Sequence, residues 1–143
     1  MRPITLQTIN LVKGFEGLRL VRYGDATGLP TIGYGHLIKP DENFMHISEE
    51  QALELLQTDL QIAGAAVERL IKVQLDDNEF TALIDFVYNL GAGVLQASTL
   101  KAKLNRGDYR GAANQFKRWV YAGATKLPGL IKRRETEAEL FLS

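Results

Sequence analysis

The sequence predicts an α+β fold: a small antiparallel sheet lobe early, a mainly helical lobe late, and a long helix joining them. Three observations carry this. Residues 18–38 are rich in Gly, Tyr, Val, Ile and Thr and are divided by the turn signal Asp25-Ala26-Thr27-Gly28. Beyond Ser48 the apolar residues change to steps of three and four. One of these runs, opening at Ser48-Glu49-Glu50-Gln51, continues through Ala52, Leu55, Leu56, Leu60, Ile62 and Val67 towards Ile71. The 143 residues make one domain over 1–143. Its sheet lobe is expected at about 17–45, the connecting helix at about 48–71, and the helical lobe at about 72–143 together with the N-terminal helix, with a cleft between the lobes.

Leu6, Ile9, Val12 and Phe15/Glu16 mark a short amphipathic helix, started by Thr5 and stopped at Gly17. Two strand-like runs flank the turn at Asp25, and a third short run, His36 to Ile38, completes the sheet. Lys39-Pro40-Asp41-Glu42-Asn43 is a loop. Ser48 and Gln51 have the spacing of a capping box. Asp76-Asp77-Asn78-Glu79 starts the next helix, which carries Phe80, Leu83, Ile84 and Val87 and stops at Gly91. Short helices are expected over Ser98–Asn105 and Asp108–Trp119, parted by Gly107, and Pro128 sits just inside the start of a last helix.

Composition excludes several classes. The apolar fraction of 45% and charged fraction of 24% are those of a globular protein, not a disordered or fibrous one. Lys plus Arg equals Asp plus Glu at 17 each, so no whole-molecule field favours nucleic acid. There is no cysteine, hence no disulfide and no thiol chemistry. The N-terminal stretch MRPITLQTINLVKGFEG is interrupted by polar residues and has no apolar run of signal-peptide or membrane-span length. No cofactor is expected and no metal site either, because His36 and His46 lack a supporting cluster of ligands.

The segment GFEGLRLVRYGDATGLPTIGYGH places two carboxylates among many glycines. Cleaving a glycosidic bond takes an acid that protonates the leaving oxygen and a carboxylate that handles water or the sugar cation. Glu16 shares a helix face with Ile9 and Val12, where a carboxyl is drawn out of water and keeps its proton. Asp25 lies in a glycine-flanked turn, where solvent and backbone N–H groups keep it ionised. By themselves a Glu before Gly and an Asp in a turn are also ordinary helix-end and turn chemistry, and Thr31 is ordinary strand composition.

Glu16, eight residues, Asp25, five residues, Thr31 and then Ile32-Gly33-Tyr34-Gly35-His36 resembles the phage-type lysozymes (phage endolysins, muramidases, glycoside hydrolase family 24). Phe86-Val87-Tyr88-Asn89-Leu90-Gly91 is similar to that family's central helix end. Ser98-Thr99-Leu100, Trp119, and Leu127-Pro128-Gly129-Leu130 with Arg133, Arg134 and Glu137 are similar to its C-terminal signatures. The resemblance implies a lysozyme-like fold and cleavage of the β-1,4 bond between N-acetylmuramic acid and N-acetylglucosamine in peptidoglycan, with inversion. Glu16 would be the general acid, Asp25 would activate or position the water, and Thr31 would hold that water. Tyr23, Gly33, Tyr34, Gly35, His36, Tyr88, Asn89 and Arg134 are the residues expected to meet substrate. The glycines would admit a sugar chain close to backbone, the tyrosines would offer flat faces, and Arg134 aligns with an arginine that approaches the catalytic Glu. His36 is also expected to pair with Asp59, whose place mid-helix among Leu55, Leu56 and Leu60 would be costly unpaired.

The resemblance further implies a monomer with no nucleic-acid partner and no membrane segment. It would gather in the host cytoplasm, pass a separate phage-encoded membrane-hole protein, and act on the wall in the periplasm. Two rival classes are weighed. A lytic transglycosylase needs one acid and no water, so Asp25 and Thr31 count against it. A non-catalytic wall-binding or nucleic-acid-binding module, read from Lys132-Arg133-Arg134 and the helices around Gly107, is opposed by the intact triad and the zero net charge. That neutrality also predicts only modest salt dependence unless the charges are segregated.

Overall fold

The computed structural model describes residues 1–143 and resolves them into two compact units, one of residues 3–62 and one of residues 1–2 and 63–143.

The sheet unit begins with α1 (Leu6–Glu16), capped by the Thr5 hydroxyl, which accepts from the Thr8 N–H at 3.3 Å. Gly17, at φ 69°, closes the helix and turns the chain into β1 (Arg19–Gly24). The antiparallel sheet continues with β2 (Pro30–Gly33) and β3 (His36–Leu37) in the order β1-β2-β3, with Tyr23 opposite Thr31 and Ile32 opposite His36. The apolar side packs as Ile32, Ile38, Ile47 and Ala52, with Leu18, Leu20, Tyr34, Phe44 and Leu55 around them. The N-terminal helix falls in this unit, whereas the sequence reading grouped it with the helical lobe. Two residues separate it from β1, and Lys13 Nζ lies 5.4 Å above the Tyr34 ring, so short-range connectivity decides its place.

α2 (Glu49–Leu70) starts in the sheet unit and ends in the helical one. Its capping box is formed in both directions: the Gln51 N–H donates to Ser48 Oγ at 3.1 Å, and the Ser48 N–H to Gln51 Oε1 at 2.8 Å.

The helical unit is built round α3 (Asp77–Leu90), which opens on an Asp76–Glu79 capping box and is buried continuously from Phe80 to Val87. A helix buried on all sides belongs at a centre, surrounded by others. Those are α4 (Ala92–Gln96), α5 (Thr99–Asn105), α6 (Tyr109–Gln115), a 3-10 turn at Phe116–Arg118, and α7 (Pro128–Leu142). Phe86 meets Phe116 and Trp119 edge-on, with ring centroids 5.5 and 4.9 Å apart. α4, and a two-stranded ribbon of β4 (Tyr121–Ala122) and β5 (Thr125–Lys126), were not legible in the sequence. α4 is five residues long and the ribbon strands two each, too short to show a period.

Candidate active site

Eight of the predicted site residues lie in the sheet unit: Glu16, Tyr23, Asp25, Thr31, Gly33, Tyr34, Gly35 and His36. Glu16 is the last residue of α1 and half-buried, which matches its place on the Ile9–Val12 face. Gly35, at φ 84°, lets it sit there: a Cβ at position 35 would lie 2.8 Å from Glu16 Oε1. The space that glycine leaves is therefore taken by the Glu16 carboxyl. Gly33 faces inward, and a Cβ there would meet Ala52 and Ile47 at 3.5–3.6 Å. Its φ of 70° serves the tight connection from β2 to β3. Both glycines thus have a role in shaping the protein itself.

Asp25 heads the turn between β1 and β2. Its Oδ1 accepts three hydrogen bonds, from the Thr27 N–H (2.8 Å), the Thr27 hydroxyl (2.7 Å) and the Leu29 N–H (2.9 Å). The Thr27 hydroxyl first, and the Leu29 N–H next, hold the carboxyl below the usual carboxylate range. None of these bonds uses Oδ2. Thr31, buried on β2, donates its hydroxyl proton to the Leu29 carbonyl at 2.9 Å, so its oxygen is left as an acceptor. Leu29 thus receives one bond from Thr31 and gives one to Asp25.

Tyr23, opposite Thr31 on β1, is half-buried with the Arg19 guanidinium 4.4 Å from its ring centroid. Burial pushes its phenol up, the Glu16 charge adds to this, Arg19 opposes it and Asp25 adds again. One phenol therefore feels both carboxylates. Tyr34 is half-buried against the sheet core under Lys13.

His36 is buried, and both of its ring nitrogens are taken: Nδ1 lies 2.7 Å from Asp59 Oδ2 and Nε2 lies 2.9 Å from Glu42 Oε1. The pairing with Asp59 is as expected from the sequence. The second carboxylate was not foreseen, because a Glu in a polar loop carries no signal of its own. With both nitrogens engaged, His36 ties β3 to α2 and to the 39–42 loop. The Asp59 hydrogen bond raises its pKa, burial opposes, and Glu42 adds to the rise.

Tyr88, Asn89 and Arg134 belong to the helical unit. Tyr88 and Asn89 are half-buried near the end of α3. Arg134 is fully buried and donates from Nη2 to Asn89 Oδ1 at 2.7 Å and to Glu137 Oε2 at 3.1 Å. A guanidinium has no acceptor, so the Asn89 amide must turn its oxygen to it. Arg134 Nε also stands 2.8 Å from Glu137 Oε1, an ion-pair distance without hydrogen-bond alignment. Beside it Arg133 grips Asp85 with two bonds, Nε to Oδ2 at 2.9 Å and Nη2 to Oδ1 at 2.8 Å. Burial, then the hydrogen bond shared with Asp85, pushes the Glu137 carboxyl well up. Burial pushes Asp85 up too, but the Glu137 and Arg133 bonds outweigh it and leave it ionised. Asp85 had no sequence signal: it sits in an apolar helix and its partner is 48 positions away.

The sequence matches the profile of the phage lysozyme family over residues 13–137. It is 40% identical to the endolysin of Salmonella phage P22 across the whole of both chains. It is 44% identical to the endolysin of Bacillus phage B103 over 94% of this chain, and spans about half, 52%, of that longer protein. Its fold superposes on a mutant of P22 lysozyme with a TM-score of 0.86 at 38% identity, covering 100% of both chains. The muramidase domain of SpmX from Asticaccaulis excentricus gives 0.89 at 32% identity, covering 100% of this chain and 99% of that one.

Proposed function

Because the chain belongs to the phage lysozyme family and is a glycoside hydrolase of the lysozyme type, we propose that it cleaves the β-1,4 bond between N-acetylmuramic acid and N-acetylglucosamine in peptidoglycan by an inverting single displacement. Glu16 gives its proton to the glycosidic oxygen, the bond to the anomeric carbon breaks, and water adds to that carbon from the opposite face. The observation that carries the reading is the state of Asp25 and Thr31. Asp25 has one oxygen saturated and one open, and the Thr31 hydroxyl proton is already spent. A water between them finds only acceptors. It gives one hydrogen to Asp25 Oδ2 and one to Thr31 Oγ1, which turns its lone pairs towards the sugar. A carboxylate held below its usual range is a weaker base than a free one. It orients the water and offsets positive charge first, and receives the proton once the sugar carries oxocarbenium character.

The expected test is loss of catalysis in Glu16→Gln. Lysis of permeabilised Gram-negative cells should fall about 10³-fold with the circular dichroism spectrum unchanged. A variant that lyses as fast as the parent sinks the reading. Proton NMR of fresh product should show the inverted anomer, and mass spectrometry a reducing end carrying one added water. An anhydro-sugar would mean the transglycosylase instead.

In the same reading the protein is a monomer that gathers in the host cytoplasm and reaches the wall through a separate phage membrane-hole protein. No helix of the structure is long and apolar enough to cross a membrane. Purified protein should elute at the mass of one chain, and induced cells should lyse only when a hole-forming protein is supplied.

A further inference from the structure

Asp25 Oδ2 and Thr31 Oγ1 are both left as acceptors. A sugar laid against them carries acceptor oxygens of its own and needs a donor as well. Tyr23 can supply one. It stands directly opposite Thr31 in the antiparallel pairing of β1 with β2, so the two side chains share a face of the sheet. Its ring is half-buried, yet no group of the chain hydrogen-bonds its hydroxyl, whereas the Tyr109 hydroxyl donates to the Gln74 carbonyl at 2.6 Å. A phenol drawn this far out of water ordinarily finds a partner.

The ring is also held in place. The Arg19 guanidinium lies 4.4 Å from its centroid and pairs with no carboxylate. Burial first, and then the Glu16 charge, push the phenol up; Arg19 opposes and Asp25 adds again. The hydroxyl therefore keeps its proton wherever the two carboxylates work, and serves as a donor and not as a base.

We propose that Tyr23 sets specificity for N-acetylated glycan, its hydroxyl donating a hydrogen bond to the carbonyl oxygen of the 2-acetamido group on the sugar that is cut. The inference rests on the proposed substrate and on inversion. An amide carbonyl is the strongest acceptor on an N-acetylhexosamine, and this one lies beside the reacting carbon. Left free, it competes with the water. Its oxygen can bond to the anomeric carbon from the face opposite the leaving group, while the glycosidic bond breaks and the departing oxygen takes the Glu16 proton. Positive charge then rests on the acetamido nitrogen until water opens the ring. That substrate-assisted route ends in retention. A phenol that engages the carbonyl turns it away from the anomeric carbon and leaves that face to the water.

Tyr23→Phe keeps the ring and its Arg19 contact and removes only the hydroxyl. Its melting temperature should match the parent's, and its kcat/KM on purified sacculi should fall about tenfold. The deciding measurement uses sacculi whose muramic acids are partly de-N-acetylated. Mass spectrometry of the new reducing ends counts the bonds cut after N-acetylated and after free-amine residues, which compete in one sample. The parent should prefer N-acetylated ends, and that preference should be about tenfold smaller in Tyr23→Phe, a change that a tyrosine engaged only in packing does not produce. The inference is overturned if the variant cuts native sacculi as fast as the parent, or if it is slower but keeps the parent's preference. A parent protein that leaves native sacculi uncut, or releases the retained anomer from them, would instead overturn the proposed function.

Discussion

Asp25 in the sheet unit and Asp85 in the helical unit are both held ionised, by opposite means. Asp25 sits in an exposed turn and is held by neutral donors, two backbone N–H groups and one hydroxyl, all on a single oxygen. Asp85 is fully buried and is held by a guanidinium that takes both oxygens. Neutral donors fix a carboxylate's direction without cancelling its charge, and an open oxygen leaves it able to act. A bidentate Arg consumes both. The difference teaches which ionised group is free for chemistry and which is spent on architecture, a distinction burial alone does not make.

The comparison breaks most readily at Arg133. Arg133→Met leaves Asp85 in the interior without its partner and should cost about 3–5 kcal/mol. Asp85→Asn added to it removes the stranded charge and should restore a large part of that loss. Urea denaturation of parent, single and double variants decides the matter. A double variant no more stable than the single one would mean that Asp85 is not held by Arg133 at all.

How much of this was legible in the sequence depends on the range of the interaction. Thr5, Ser48 with Gln51, Asp76 and Gly91 act on residues within one helical turn, and each stood where expected. The spacing of Glu16, Asp25 and Thr31 was legible as a motif, and the mid-helix Asp59 pointed to His36 because an unpaired carboxylate there is costly. What stayed hidden is what needs a folded chain to define it. Gly35 opposes Glu16 across 19 positions of sequence, and the register that sets Tyr23 opposite Thr31 appears only once the strands are paired. Gly33, Gly35 and His36 drew notice in the sequence for their closeness to the catalytic motif, and the packing and pairing they serve appear only in the folded chain.

His36 sharpens the contrast, because it is buried like Asp85 yet is held by two carboxylates. Its pKa is raised, first by Asp59, so the stabilisation is fully present below its ordinary value of about 6.5 and is lost as pH rises through the higher folded value. Partial burial pushes Glu42 up, but the Lys39 N–H and the His36 ring together hold it low, so its share is present above about 4.3 and fades as pH falls through the lower folded value. His36→Asn should therefore cost about 2 kcal/mol between about pH 4.5 and 6.5 and progressively less towards alkaline pH. Unfolding free energies measured across that range settle it, and a loss independent of pH would mean that the ring is held by packing alone.

The smallest expected effect separates holding a carboxylate from using one. Thr27→Val removes the hydroxyl bond to Asp25 Oδ1 and leaves both N–H donors in place. The fold should be unaffected, since the turn is exposed and its backbone bonds remain. The Asp25 pKa should move up towards the ordinary carboxylate value, because the Thr27 hydroxyl is the first cause of its depression. The acid limb of the kcat/KM profile should then shift to higher pH, with the rate at neutral pH falling only severalfold, about 1 kcal/mol or less. If Asp25 only shapes the turn, the acid limb stays where it was while the rate is unchanged, and its place in the chemistry is lost. If it orients the water, the limb moves and the melting temperature does not, a pairing that Asp85, with both oxygens consumed, could not produce.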